Sequence, residues 1–115
     1  MKIQHHKIDF EKEDLESTEF QLSVTMLIYL ELASITEKLT FYEEGELTEG
    51  LSLIYYTMDS KPVLDPEIVR EKSKAAYSQV NRLFTDGSLT FEEWSAVKNY
   101  ILEITEEYIN YLQRR

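Results

Sequence analysis

Large apolar side chains recur every three or four residues along most of this chain, which is the spacing of one face of an α-helix. The first and longest run predicts a helix over about residues 18–43. Its main stripe comprises Phe20, Val24, Leu27, Ile28, Ile35, Leu39 and Tyr42. The stripe is widened by Leu22, Met26, Tyr29, Leu30 and Leu32. Thr18 and Gln21 fit a capping box at the start, and Gly45 follows the end. We expect a helix this apolar to be central, with neighbours on more than one side.

Three further runs predict three more helices. Their expected bounds are about 48–58, 66–85 and 90–113. Thr48 is the expected N-cap of the first. The second opens with Asp65-Pro66-Glu67, which combines a capping carboxylate, proline at the first helical position and an acid in the first turn. Gly87 ends it, and Thr90 with Glu93 forms a capping box for the last helix.

Together these elements predict an all-α fold, a small antiparallel bundle of about four helices in a single domain over residues 1–115. Residues 1–16 are expected to form a loosely packed N-terminal arm. The segment Gly-x-Leu-Thr occurs at 45–48 and again at 87–90. It indicates either two duplicated helical hairpins or two ordinary turns, in which Gly ends one helix and Thr begins the next.

The composition indicates a folded domain and limits the cellular compartments in which the protein is expected. A hydrophobic fraction of 43% is ordinary for a folded domain, and the lack of cysteine excludes disulfides, thiolate metal sites and a cysteine nucleophile. The start of the chain shows no signal peptide. The most apolar run, Val24 to Ile35, is shorter than the roughly 20 residues of a membrane span and contains Glu31. We therefore expect a cytoplasmic protein with no membrane contact.

Charge narrows the class of partner. Twenty-two acidic residues against 12 basic ones give a formal net charge of −10. Such a field repels nucleic acid and anionic lipid and attracts cationic proteins. Arg70, Lys72 and Lys74 form only a loose basic cluster, so we expect no direct nucleic-acid binding.

The chain offers little for catalysis or metal binding. Residues 86–93 resemble half of an EF-hand loop, but the first and third ligand positions would be Arg82 and Phe84, which cannot bind calcium. His5 and His6 are adjacent, so they point in different directions. Glu103, Glu106 and Glu107 lie off the apolar stripe and are expected on a solvated face. We expect no enzymatic activity, no metal and no cofactor.

Leu53-Ile54-Tyr55-Tyr56 is the segment with the clearest indication of binding. Two consecutive tyrosines on a short helix cannot both face the core, so one is expected to project outward, where tyrosine favours interfaces. The alternative is that both lie at the edge of the bundle. Five acids close in sequence complete the predicted partner-binding surface: Glu43, Glu44, Glu46, Glu49 and Asp59.

The same segment, followed by Asp59 and by Asp65-Pro66-Glu67-Ile68-Val69, resembles the immunity proteins of the E-group DNase colicins. The resemblance implies a small acidic bacterial bundle that silences a basic nuclease, with Tyr55 and Tyr56 contacting the nuclease and the nearby acids pairing with its basic side chains. The chain differs from the family in three respects. Thr57 replaces a proline, residues 18–42 are predicted as one helix where the family has two, and a further helix follows from Thr90.

We therefore expect a non-enzymatic immunity or inhibitor protein that neutralises a basic partner, such as a nuclease toxin, by occluding its substrate surface. Opposite charge would speed association and make it depend on salt. One alternative is a helical adaptor or assembly subunit, with a homodimer left open. Another is a phage-encoded DNA mimic that blocks a defence nuclease.

Overall fold

A computed structural model describes Phe10, residues 14–36 and residues 39–114 of the chain. Within these residues the fold consists of four α-helices, α1 Thr18–Ile35, α2 Phe41–Ser52, α3 Pro66–Thr85 and α4 Phe91–Arg114. Helix α1 packs on α2 and α4, and α3 packs on α2 and α4. Five-residue connections at 36–40 and 86–90 join α1 to α2 and α3 to α4, which makes each pair antiparallel. The predicted all-α bundle is confirmed.

The predicted single helix over 18–43 is wrong, because the chain breaks between Ile35 and Phe41. Thr36 has an extended backbone and ends α1. Its hydroxyl and its N–H both donate hydrogen bonds to the Leu32 carbonyl. Thr40 then starts α2 with a capping box, in which its hydroxyl accepts from the Glu43 N–H at 3.1 Å and its own N–H donates to the Glu43 carboxylate at 3.2 Å. Apolar spacing that continued through Leu39 and Tyr42 hid this boundary.

Two further predictions on this hairpin are corrected. Gly45 lies inside α2 and does not end a helix, and Thr48 is a buried helical residue whose hydroxyl donates to the Glu44 carbonyl at 2.8 Å. The predicted helix over 48–58 therefore ends at Ser52. At the start of α1 the N-cap is Ser17, whose hydroxyl accepts from the Phe20 N–H at 3.0 Å, and Thr18 is the first helical residue.

The α3–α4 hairpin follows its sequence signals closely. Asp65 caps α3 by accepting from the Glu67 N–H at 2.9 Å, and Gly87 ends it in the left-handed region with φ 82°. The Ser88 N–H returns to the Leu83 carbonyl, which completes a Schellman motif. The Thr90–Glu93 capping box is confirmed by bonds of 2.9 and 3.1 Å.

The α1–α2 and α3–α4 connections share a sequence repeat, but it is not the predicted Gly-x-Leu-Thr repeat. Helices α1 and α3 end 50 residues apart, and α2 and α4 begin 50 residues apart. Leu-Thr-Phe-x-Glu occurs at 39–43 and at 89–93, and each copy places Thr at the N-cap and Glu in the capping box. The Gly-x-Leu-Thr repeat does not mark equivalent turns, because Gly45 is helical and Gly87 is not.

An aromatic cluster closes the end of the bundle where α1 begins and α4 ends. It consists of Phe10, Phe20, Tyr55, Tyr56, Tyr108 and Tyr111. The Tyr55 and Tyr108 rings meet edge to face at 4.9 Å, and Phe10 lies 5.2 Å from Tyr108. Phe10 and Leu15 are both buried, so these two residues of the predicted loose arm belong to the core. Residues 1–9 and 11–13 lie outside the described residues.

Two hydroxyls in this cluster differ in their hydrogen bonding, which predicts opposite effects of the same substitution. The Tyr108 hydroxyl donates to the Val63 carbonyl at 2.6 Å, whereas the buried Tyr55 hydroxyl has no partner among the described residues. We expect Tyr108→Phe to lower the free energy of unfolding by about 1–2 kcal/mol and Tyr55→Phe to leave it unchanged or raise it by about 1 kcal/mol. Urea unfolding of the two matched variants checks this. A larger loss for Tyr55→Phe than for Tyr108→Phe would contradict the assignment.

The helical position of Gly45 also predicts a stability change. A Cβ at Gly45 would meet no atom within 4 Å, so Gly45→Ala should raise the free energy of unfolding by about 1 kcal/mol through helix propensity alone. Gly87→Ala is the control. Its positive φ should make the same substitution destabilising by about 1 kcal/mol or more. Thermal unfolding of both variants shows whether Gly45 lies inside a helix, as in the structure, or ends one, as the sequence predicted.

Candidate functional site

The two consecutive tyrosines are both buried, so the expectation that one projects outward is wrong. Tyr55 is 0% exposed and Tyr56 is 3% exposed. Residues 53–55 form a turn beyond α2, and Tyr56 is extended in an isolated antiparallel bridge with Pro62. Other parts of the chain therefore cover both tyrosines. Tyr55 packs on Phe10 and Tyr108, while Tyr56 packs toward Phe20 and donates its hydroxyl to the Leu15 carbonyl at 3.5 Å.

Burial also determines the chemistry of Tyr55. It raises the pKa of the Tyr55 phenol well above its ordinary value, and the neighbouring Tyr100, Tyr108 and Glu107 raise it further. The phenol therefore stays protonated and acts as a packing residue. Tyr55 is therefore not placed to contact a partner, and Tyr56 exposes only 3% of its surface, toward a groove between α1 and α2.

The five predicted acids lie along α2 and the connection that follows it. Glu46, Glu49 and Asp59 are exposed, and Glu43 and Glu44 are half-buried. Hydrogen bonds from the Thr40 N–H and hydroxyl lower the pKa of the Glu43 carboxyl, so this acid has a structural role in capping α2. Glu46, Glu49 and Asp59 therefore remain as exposed carboxylates on this side of the molecule.

Tyr42 supplies an exposed phenol beside these acids. It lies one turn before Glu46 on α2, and the hydrogen bond between the two side chains, with the charge of Glu46, raises the pKa of Tyr42. A hydrogen bond to an ionised carboxylate favours the protonated phenol. The surface of α2 therefore combines negative charge with an exposed hydroxyl donor that is directed to Glu46.

Charge is divided unequally between the two hairpins. Among the described residues from 14 to 60, nine are acidic and none is Lys, Arg or His. These are Asp14, Glu16, Glu19, Glu31, Glu43, Glu44, Glu46, Glu49 and Asp59. Glu37 and Lys38, between the described ranges, add one charge of each sign. We call residues 14–60 the acidic hairpin. All of its described acids except the buried Glu31 reach the surface.

The other hairpin is nearly balanced. Residues 61–114 carry nine acids and seven bases. The bases are Lys61, Arg70, Lys72, Lys74, Arg82, Lys98 and Arg114. Glu67 and Arg70 form an ion pair at 2.6 Å. Most of the net charge of the molecule therefore resides on one half of the bundle.

A groove of about 400 Å³ runs along the acidic hairpin between α1 and α2. Gln21, Thr25 and Tyr29 of α1 line one wall, and Gly45 and Glu49 of α2 lie on the other. Met58 and Ser60 close the end nearest the α2–α3 connection. No sequence pattern predicted this groove, because it depends on the unpredicted break between α1 and α2.

Helix α1 has neighbours on more than one side, as expected, because it packs on α2 and α4. Its outer face is nevertheless apolar and is left uncovered by the described residues. Leu22 is 64% exposed and Met26 is 57% exposed, and Tyr29 and Leu30 are also on the surface. The core face is formed by other positions, including Val24, Ile28 and Leu32. Four of the five residues that widen the apolar stripe, Leu22, Met26, Tyr29 and Leu30, therefore form a second face directed away from the bundle, whereas Leu32 is buried.

The remaining candidate groups among the described residues divide between one helix cap and the surface. Among them, no group of three His, Asp or Glu side chains is placed to hold a metal ion. In the loop-like segment 86–93, Glu93 uses its carboxylate to cap α4. Glu103 and Glu106 are exposed, and Glu107 is half-buried. His5 and His6 lie outside the described residues.

No family model matches this chain, and no curated protein or solved structure is significantly similar to it. None of the described helices has both the length and the apolar character that crossing a membrane requires.

The contact between Tyr42 and Glu46 predicts a measurable titration. Glu46→Gln removes the carboxylate that favours the protonated phenol, so the pKa of Tyr42 should fall toward its ordinary value of about 10. NMR titration of the tyrosine Cζ resonances follows this shift. Glu106→Gln, which removes one exposed charge from α4, should leave Tyr42 unchanged. An equal shift in both variants would attribute the effect to net charge.

Proposed function

We propose that this protein is a non-enzymatic inhibitor, of the immunity type, that binds a basic protein through its acidic hairpin and occludes the surface of that partner. A nuclease toxin is the partner class that fits best. The observation that carries the proposal is the division of charge, with nine carboxylates and no described cation over residues 14–60. The same proposal places the protein in the cytoplasm, where a chain without cysteine is unaffected by reducing conditions.

The chemistry of nucleases explains why such a surface would inhibit them. A nuclease contacts phosphates through Lys and Arg, so its substrate surface is cationic. A surface of closely spaced carboxylates competes for those side chains. Complementary potentials also accelerate the encounter, since charged partners associate faster than neutral ones at low salt.

The resemblance to colicin immunity proteins supports the proposal in a revised form. Two helices, α1 and α2, precede Tyr55, as two helices precede the tyrosine pair in that family. In this revised form the exposed Glu46, Glu49 and Asp59 contact the partner, in place of the buried Tyr55 and Tyr56. The tyrosine pair instead fixes the connection that carries Asp59.

A helical adaptor or assembly subunit is the second candidate. The observation that favours it is the uncovered apolar face of α1, which a second subunit could bury. Light scattering over a range of concentrations distinguishes the candidates, because an assembly subunit that pairs with itself gives a dimer mass. A DNA mimic that blocks a defence nuclease shares the charge argument, and in that case the experiment below would capture the defence nuclease.

The proposal predicts that the position of the acids matters more than their number. In Glu46→Gln/Glu49→Gln/Asp59→Asn, three exposed charges are removed from the acidic hairpin. With the immobilised chain and a lysate of the source cell, we expect the wild type to retain a basic protein with nuclease activity and to release it at high salt. The triple variant should bind that protein about tenfold or more weakly, since each close charge pair contributes on the order of 1 kcal/mol.

A matched variant controls for net charge. Glu71→Gln/Glu103→Gln/Glu106→Gln removes three exposed charges from α3 and α4 and should bind as the wild type does. Addition of the wild-type chain should inhibit the captured nuclease in a stoichiometric manner. Equal weakening by both triple variants, or capture without inhibition, would contradict the proposal.

A further inference from the structure

The outer face of α1 carries apolar side chains in a register that suits a partner helix. Leu22, Met26 and Tyr29 are spaced by four and three residues, and Leu30 lies beside Tyr29. At a rise of about 1.5 Å per residue, Leu22 to Leu30 covers roughly 12 Å of the helix axis, or about two turns. A helical ligand presents its own anchors at the same spacing when it lies along such a face.

The groove beside this face extends the same surface. Tyr29 belongs to both, because it lines the groove and also lies on the outer face. The polar groups of the groove bond largely to one another. Gln21 donates to the Ser60 hydroxyl at 3.3 Å, and the Ser52 hydroxyl donates to the Thr48 carbonyl at 2.8 Å and lies 3.4 Å from the Thr25 hydroxyl. The groove therefore offers a ligand mainly apolar contact.

Two methionines flank this surface. Met26 lies on the outer face, and Met58, 91% exposed, closes one end of the groove. Methionine side chains are flexible and polarisable, and they are common on surfaces that adapt to bound helices. Gly45 adds space, because a helix-interior residue without a Cβ leaves that wall of the groove open.

Charge determines which helix fits. The acidic hairpin has no described cation, and the exposed Glu49 lines the groove on its α2 side, with Glu46 also exposed on the same helix. A second copy of this chain would bring two such hairpins face to face, and like charges across an interface oppose association. A helix with an apolar stripe and flanking Lys or Arg satisfies both properties of the surface.

We propose that the outer face of α1 and the α1–α2 groove form a docking site for a cationic amphipathic helix of the partner protein. This inference rests on the proposed function and adds the location and chemistry of the contact. The leucine, methionine and tyrosine side chains of α1 bind the apolar stripe of the partner helix, while the carboxylates of α2 bind its basic flanks. Tyr55 does not take part, whereas Tyr56 is one of the residues that line the groove.

A designed peptide tests the site directly on the full chain. The probe is an 18-residue helix with leucine repeating at three and four residues and lysine elsewhere. Its counterpart has the same composition with leucine scattered around the helix. We expect the first peptide to bind at least about tenfold more tightly, because only it presents an apolar stripe to α1. The ¹³C-methyl resonances of Met26 and Met58 should shift on addition of the first peptide.

Matched variants locate the contact. Leu22→Gln/Met26→Gln should weaken binding of the first peptide by about tenfold. Ile68→Gln/Leu102→Gln replaces two apolar side chains that are 42% and 45% exposed on α3 and α4 and should bind as the wild type does. Equal binding of both peptides, unchanged affinity of Leu22→Gln/Met26→Gln, or a dimer of the free chain by light scattering would each overturn the docking site.

Failure of this inference is distinguishable from failure of the proposed function. If Leu22→Gln/Met26→Gln still retains the natural partner while the triple variant Glu46→Gln/Glu49→Gln/Asp59→Asn loses it, the helix-docking site is wrong and the inhibitor proposal stands. If neither variant changes retention of the natural partner, both are wrong.

Discussion

The hydrogen bond from the Tyr108 hydroxyl to the Val63 carbonyl ties α4 to the connection between α2 and α3. Val63 also donates its N–H to the Tyr55 carbonyl at 2.8 Å, so one residue links α4 to the turn beyond α2. The thirteen-residue connection between α2 and α3 is thereby fixed against the bundle. Because this connection carries Met58 and Ser60, the same pair of bonds determines how the groove ends.

The parts of the fold that could be predicted from the sequence are those determined within one turn of the helix. Asp65-Pro66-Glu67, Gly87 and the Thr90–Glu93 box each act over a few residues, and each lies where its pattern predicts. The Thr40–Glu43 box is an equally local signal. It marks the break between α1 and α2 at a point where the apolar spacing continues through Leu39 and Tyr42.

The burial of Tyr55 and Tyr56 could not be predicted in this way. It depends on contacts with Leu15, which lies 41 residues before Tyr56, and with Val63 and Tyr108, which follow the segment in sequence. The spacing of apolar residues within 53–56 does not reveal that residues distant in sequence bury the two tyrosines. The identity of the acids was readable from the sequence, whereas their concentration on one hairpin required the helical pairing.

The unequal sharing of charge between the hairpins also makes the whole molecule an electric dipole. One half is strongly negative, and the other is close to neutral. A dipole in the field of a cation experiences a torque as well as an attraction, so rotation and translation are coupled during diffusion. At an ionic strength of about 0.01 M, where fields persist over roughly 30 Å, this torque orients the molecule before any contact is made. The acidic hairpin would then face a positively charged surface from the moment of collision.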